Sequence, residues 1–396
     1  MRINRTASFW FLAALQILFL CGASAPSPLY AVYQSLWGFP SITLTVIYAI
    51  YALGGLGALL TMGRLSDYLG RRPVVLGAVV LQVVGVWMFI VATDVGALLV
   101  GRLVTGVATG VALGAIGAWL IDLEPPTGRG LGTLLNGVGA LLGLGLGAFG
   151  SGLLVEYAPD PLHLVYWLLA GLYAVAAVVV LLVPDEAPRR PGWTRSLRPT
   201  ISVPPVVRPM FVATAPALVG AFALTGFYLS LGPSLAATLL DTANRMAGGL
   251  VILALIGTGA IAAVVSRSLD PGHVLVRGPA IVVAGVGLTL IAIMLDAPPL
   301  LYLGSAIAGV GLGPALSTFL RMVSPATPPE RRGGLLSATY VVVYLSFSVP
   351  AVIGGAAVGV YGLRPTTIAY GLVVVALALM SSVAIARRQA TLPTAS

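Results

Sequence analysis

The sequence predicts an all-α integral membrane protein, with twelve transmembrane helices in two pseudo-symmetric six-helix bundles. Three observations predict it. First, 58% of the 396 residues are hydrophobic, only 8% are charged, and the mean hydropathy is +1.02. The 21 basic and 12 acidic side chains cannot clothe a water-soluble core of that size. Second, the apolar residues fall into twelve runs of about the 20 residues that a spanning helix needs. Third, the charges in the gaps between runs alternate in a way that only membrane topology explains.

The runs lie near 8–25, 41–62, 74–93, 95–121, 131–155, 162–183, 209–231, 246–265, 278–295, 299–321, 334–359 and 365–386. All basic residues are arginine, and no lysine occurs. If even-numbered gaps share the side of the N-terminus, eighteen of the 21 arginines fall on that side. Only Arg245 and Arg364 fall opposite, and Arg102 lies inside a run. The positive-inside rule then makes both termini cytoplasmic in a plasma-type membrane. The high pI is accounted for by topology, so no nucleic-acid partner is implied. Arg2 and Arg5 ahead of the first run mimic a secretory signal, but Pro26 after Ala23-Ser24-Ala25 disfavours cleavage, and a retained first helix is expected. The single cysteine, Cys21, excludes a disulfide framework and any Cys-based metal centre.

The chain repeats itself at an offset of 203 residues. Gly101, Gly106 and Gly110 fall on Gly304, Gly309 and Gly313. The connection Pro125-Pro126-Thr127-Gly128-Arg129-Gly130 falls on Pro328-Pro329-Glu330-Arg331-Arg332-Gly333, and Arg64 and Asp67 fall on Arg267 and Asp270. A duplicated six-helix unit follows: an N-terminal bundle over 1–183, a Pro- and Arg-rich linker over 184–208 with Asp185 and Glu186, and a C-terminal bundle over 209–396. The linker is expected to be extended.

The connection after the second run reads Gly63-Arg64-Leu65-Ser66-Asp67-Tyr68-Leu69-Gly70-Arg71-Arg72-Pro73. Asp67 ends a helix at its negative pole and needs a cationic partner. Gly70 permits a tight reversal, and Pro73 suits the opening turn of a helix. The segment resembles the GxLxDxxGRRxxx signature of the major facilitator superfamily. By that resemblance Gly63, Asp67, Gly70, Arg71 and Arg72 form a gating charge cluster, completed by Asp122 at the end of the fourth run. The second copy, Ser266-Arg267-Ser268-Leu269-Asp270, is degenerate: Ser266 replaces Gly63, and Val274 and Leu275 replace the arginine pair.

Arg102 lies roughly 10 Å inside the fourth run at 1.5 Å per residue. A membrane-embedded arginine there costs about 2.5–3.5 kcal/mol or more unless it finds water or a partner. The alternative is a side chain that snorkels to the headgroups. Its context, Arg102-Leu103-Val104-Thr105-Gly106-Val107-Ala108-Thr109-Gly110, is similar to the superfamily's fourth-helix RxxxGxxxG motif, which implies proton coupling or substrate contact. Its repeat equivalent is Ser305. The fifth run carries Gly143, Gly147 and Gly152, and it resembles the exporter motif GxxxGPxxGG with Ala148 in place of the proline and Ser151 in place of a glycine. Close helix packing accounts for the same glycines without any function. Pro26-Ser27-Pro28-Leu29-Tyr30 closes the first run as in related drug-exporter subfamilies.

No Asp, Glu or Lys occupies the central third of any run. The candidate cavity residues are Gln16, Tyr48, Tyr51, Thr105, Thr109, Asn136, Thr225, Tyr228, Tyr340 and Tyr344, with Arg102. Each alone also serves as interhelical glue. Hydroxyls, amides, aromatic faces and one cation suit a neutral or anionic solute better than a cationic one.

The resemblance implies a secondary transporter of small molecules in the lipid bilayer, similar to the twelve-helix drug or metabolite:proton antiporters. Proton-coupled efflux of a small organic solute by alternating access is expected, the protein acting as a monomer without cofactor or metal. Proton-linked uptake of a sugar or organic acid is the alternative. A membrane-embedded enzyme would want acidic or metal-binding loops, whereas His163 and His273 are the only histidines. A receptor would be expected to carry an appended soluble domain. A phosphate-binding GxxxxGK[ST] loop is impossible without lysine.

Overall fold

The computed structural model describes residues 3–126, 128, 130–185, 191–241 and 244–391. Arg2, Thr127, Arg129, Glu186, Arg189 and Arg190 lie outside the described residues. Twelve helices among those described are long and apolar enough to cross a membrane. They are α1 (Arg5–Trp37), α2 (Ser41–Met62), α3 (Arg71–Ile90), α4 (Val95–Asp122), α5 (Leu131–Tyr157) and α6 (Leu164–Leu182), followed by α7 (Arg208–Leu240), α8 (Arg245–Ser268), α9 (Pro271–Leu295), α10 (Pro298–Val323), α11 (Arg332–Tyr361) and α12 (Leu363–Arg387). No strand occurs among the described residues.

Local chemistry starts and stops these helices. The Asn4 side chain accepts from the backbone N–H of Thr6 and Ala7 to open α1. Asp94 accepts from Ala97 N–H at 2.8 Å to open α4, and Asp270 from His273 N–H at 2.9 Å to open α9. Each satisfies a donor that the first helical turn leaves unpaired. Gly70, at φ 97°, makes the reversal into α3, a conformation closed to side chains with a Cβ.

Two expectations change here. The first helix does not close at Pro26-Ser27-Pro28-Leu29-Tyr30. It breaks for two residues at Ala25 and Pro26, then resumes over Ser27–Trp37. Proline suits the opening turn of a new helix, so the motif kinks the span and re-aims its second part. The linker is not wholly extended either: Trp193–Leu197 forms a 3-10 turn packed against α2 and the short helix Ser66–Leu69.

The chain divides into two compact units, Met1–Pro199 with Asn244–Gly249, and Thr200–Ala243 with Leu250–Ser396. In the first unit α4 packs on α2 and α3, α5 on α1, and α6 on α3. In the second, α10 packs on α9, α11 on α7, and α12 on α9 and α7. The duplicated glycines explain the closest approaches. A Cβ at Gly106 would meet the carbonyl oxygen of Tyr51, and one at Gly110 that of Gly55. In the second unit the same clashes pair Gly309 with Leu255 and Gly313 with Gly259. Small residues thus bring α4 onto α2 and α10 onto α8, as lipid-embedded helices require. Large apolar side chains such as Val178, Leu295 and Val360 remain exposed, an outer surface fit for lipid rather than water.

Candidate functional site

Arg102, in the third turn of α4, is fully buried, so it does not snorkel to a headgroup. Among the described residues it is the one charged side chain in the buried set; no Asp or Glu is buried with it. Its Nε donates to the hydroxyl of Tyr30, and its Nη1 donates to the carbonyl of Ala23 at 2.7 Å. Both acceptors flank the break in α1, where helix-end carbonyls lack partners along the chain. The guanidinium carbon lies 5.2 Å from the ring centre of Tyr30, 5.3 Å from Tyr51, and 5.7 Å from both Tyr48 and Phe89.

This cage replaces a counter-ion. Hydrogen bonds to a charged group contribute about 1.5–3 kcal/mol each, and desolvated cation–π contacts about 2 kcal/mol. Together they offset a burial cost of about 2.5–3.5 kcal/mol or more. One group is left over: the buried Nη2 of Arg102 has no hydrogen-bond partner. The arrangement is a fixed cation in an aromatic shell with an unspent donor. The shell continues through Phe89, stacked on Tyr166 with ring centres 5.2 Å apart, to Tyr33, whose hydroxyl lies 3.4 Å from that of Tyr166.

Of the candidate cavity residues, the structure brings the rings of Tyr48 and Tyr51 onto Arg102, with Thr109 beside Tyr51. Thr105 and Thr109 bond back to their own helix, to the carbonyls of Gly101 and Thr105. Gln16 donates to the carbonyl of Asn136 at 2.8 Å, and Asn136 donates to that of Gly117 at 3.2 Å, which ties α1, α5 and α4 together. The Oε1 of Gln16 is buried without a partner. Thr225 bonds back to Ala221. Tyr340 and Tyr344 are half-buried, with their rings 6.5 Å apart on α11. Tyr30 and Phe89 complete the cage without having been candidates. Tyr30 could have been suspected from its place after two prolines; Phe89 carries no signal at all.

In the second unit the position of Arg102 is neutral. Ser305, the repeat equivalent of Arg102, lies 2.9 Å from the hydroxyl of Tyr228 on α7, with Thr289 of α9 at 3.5 Å from the same hydroxyl. Where Tyr51 lies against Gly106, Leu255 lies against Gly309. The cation and most of its rings are therefore confined to the first unit.

A second cluster sits at the end of α2. The Nη1 of Arg71 donates to Asp67 at 2.5 Å and to the hydroxyl of Ser66 at 2.8 Å, while its Nε donates to Asp122 at 3.0 Å. Arg72 does not join them. Its guanidinium donates to the Val183 carbonyl through Nε at 3.1 Å and Nη2 at 2.5 Å. Asp185, just beyond, accepts from the backbone N–H groups of Arg71 and Arg72 at 3.4 and 3.1 Å. An anion at the opening turn of α3 is favoured by the helix dipole. Gly114 is what lets α4 approach Gly63: a Cβ on Gly114 would lie 3.0 Å from the Gly63 carbonyl oxygen, whereas a Cβ on Gly63 would meet only Leu59 of its own helix. In the degenerate second copy the polarity differs: Arg321, from α10, donates to the Ser266 carbonyl at 3.1 Å.

The α5 glycines are contact points. A Cβ at Gly143 would meet the Ile17 carbonyl, and one at Gly147 the Cys21 carbonyl and the Ser24 hydroxyl. Gly152 faces the backbone of Arg245 and Met246. Helix packing accounts for all three.

A family model described as Major Facilitator Superfamily matches residues 12–295. The chain belongs to the Major Facilitator Superfamily. Among curated relatives, it is 28% identical over 153 residues to the glucose transporter GlcP of Staphylococcus epidermidis, covering 39% of this chain and 33% of that protein. It is 31% identical over 151 residues to putative polyol transporter 1 of Arabidopsis thaliana, covering 37% and 28%. The chain thus spans a third or less of the length of these two relatives. The crystal structure of the nucleoside transporter NupG superimposes with a TM-score of 0.73 at 14% identity, covering 96% of this chain and all of that one. That likeness shows the fold. The superfamily and its members named here are transporters, not enzymes.

Proposed function

We propose that this chain is a secondary transporter that moves a small neutral or anionic organic solute across the membrane by alternating access. The observation that carries the reading is Arg102, a buried cation whose remaining donor has no partner and which no carboxylate neutralises. A solute that offers an acceptor oxygen gains a charge-assisted hydrogen bond there, whereas a cationic solute meets only repulsion. The aromatic faces around it suit the apolar side of the same solute.

The direction we favour is outward, driven by the proton gradient, with the protein acting as a monomer in the plasma membrane and both termini in the cytoplasm. What supports this direction is sequence resemblance: Pro26-Ser27-Pro28-Leu29-Tyr30 and the α5 glycines Gly143, Gly147 and Gly152 resemble exporter motifs, with Ala148 and Ser151 departing from the second. A second reading, uptake of a sugar or polyol, is favoured by the names of the relatives. Purified protein in liposomes with an imposed pH gradient, screened over glucose, polyols, organic acids and amphiphilic drugs, decides between them. Proton-dependent flux of an amphiphile or organic anion against its gradient supports the first reading. Flux of sugars or polyols alone supports the second. Transport confined to cationic compounds would sink both.

A further inference from the structure

The chain that joins the two units is anchored on both sides of a short exposed stretch, a feature the transport reading leaves unused. On the first unit, the end of α6 is tied at successive residues. The Val183 carbonyl accepts from the Arg72 guanidinium, the Pro184 carbonyl accepts from the Trp119 indole at 3.1 Å, and Asp185 accepts from the N–H groups that open α3. The 3-10 turn Trp193–Leu197 then packs on α2 and on the Ser66–Leu69 helix. Within it Ser196 is buried, and its hydroxyl donates to the Trp193 carbonyl at 2.5 Å. On the second unit, the Ser202 N–H donates to the Gly334 carbonyl at 3.1 Å, and a Cβ on Gly334 would meet the Ser202 hydroxyl. Val203 packs against the buried cluster that holds Phe319 and Leu335. Between the two anchorages lie Arg198, Pro199, Thr200 and Ile201, all exposed and in no helix or strand.

From Leu197 to Ser202 a fully extended chain reaches about 18 Å at most. That bound is covalent, so it holds whatever the arrangement of the two units. The first anchorage lies against the connection that carries Asp67, and the second lies at the opening turn of α11. The gap with Arg71 and Arg72 and the gap with Arg331 and Arg332 are ones that the arginine asymmetry assigns to a single face of the membrane. We propose that residues 198–201 are a strap that sets how far the two units part at this face during alternating access. Without the anchorages, the chain from Pro184 to Val207 would reach about 80 Å and impose no useful bound. The strap matters only if the protein works by alternating access. Its length is read without solute or gradient, so the two readings fail separately.

Double electron–electron resonance on the full chain in liposomes tests it, with spin labels on Arg64→Cys and Gly333→Cys in a Cys21→Ser background. Both labelled positions are exposed. Inserting eight Gly and Ser residues after Pro199 is expected to move the far edge of the distance distribution outward by about 5 Å or more. Deleting Thr200 and Ile201 removes about 7 Å of reach and is expected to move that edge inward. The same insertion placed between Asp185 and Trp193 precedes the anchored turn and leaves the edge where it was. An edge that stays put in either the lengthened or the shortened strap overturns the proposal. So does an equal widening from the insertion before Trp193, because the 3-10 turn would then be no anchor.

Discussion

Arg102 on α4 donates to the hydroxyl of Tyr30 on α1, and in the second unit Ser305 on α10 is hydrogen-bonded to Tyr228 on α7. The duplicated position on α4 and α10 thus bonds a tyrosine hydroxyl of the unit's first helix in both units, as a cation in one and as a hydroxyl in the other, although the two tyrosines are not repeat equivalents: at the 203-residue offset Tyr30 falls on Pro233. Among the described residues, the buried charge is found in the first unit alone.

Arg102→Ala should reduce solute flux by about tenfold or more while the protein still inserts and remains folded, since a charge-assisted contact of 1.4 kcal/mol or more is lost. Arg102→Lys should also lose flux, because an ammonium cannot reach Tyr30, Ala23 and a solute with one planar fork. Flux in liposomes alongside thermal unfolding of the purified variants measures both. Full flux in Arg102→Ala would reduce the residue to a helix anchor.

Tyr30→Phe keeps the ring contact and removes the hydroxyl, leaving the Arg102 Nε without its acceptor. The expected loss of stability is about 1–3 kcal/mol, the cost of an unpaired buried donor. Chemical denaturation in detergent reads it, and a midpoint equal to that of the unaltered protein would contradict the bond.

Asp67→Asn and Asp122→Asn each take one carboxylate from Arg71. Both acids are about two-fifths exposed, so water screens the pairs and each is worth about 1 kcal/mol or less. The expected effect is a shift of severalfold at most in the balance of inward- and outward-facing forms, followed by labelling of single cysteines placed at either mouth. Unaltered labelling in the double variant would remove the cluster from gating.

Gly110→Val and Gly313→Val should be among the most damaging single changes, because each Cβ meets a backbone carbonyl that cannot move aside. A loss of several kcal/mol and poor recovery of folded protein are expected. Gly137→Ala, where a Cβ meets nothing within 4 Å, is the control and should be neutral. Size-exclusion profiles of the three variants make the comparison.

Asp185→Ala should destabilise the protein by about 1 kcal/mol through loss of the anion at the start of α3. Asp185→Asn should recover much of that, since an amide oxygen still accepts from the N–H groups of Arg71 and Arg72. Thermal shift measurements at low salt distinguish the two.

The sequence by itself determined the twelve spans, the duplication and the one residue, Arg102, that stands out against it. Spans are legible because hydrocarbon imposes a length and a composition on every helix, whatever its neighbours. The duplicated glycines were legible for the same kind of reason: only a missing Cβ lets two backbones approach, so Gly106 and Gly309 announce contacts without revealing the partner. Arg102 was conspicuous because a charge in lipid is costly in any arrangement.

What only the tertiary structure decided is who meets whom. Tyr30 and Phe89 join the cage because α1 breaks at Pro26 and α3 crosses α4 with one face turned inward, and neither rotation is written along a single helix. Arg72 reaches Val183 rather than Asp67, and Asp185 returns from over a hundred residues away to the start of α3, because the end of α6 folds back beside it. Composition and spacing report on one helix at a time. Partners across helices depend on crossing and rotation, which the packing of the whole unit fixes.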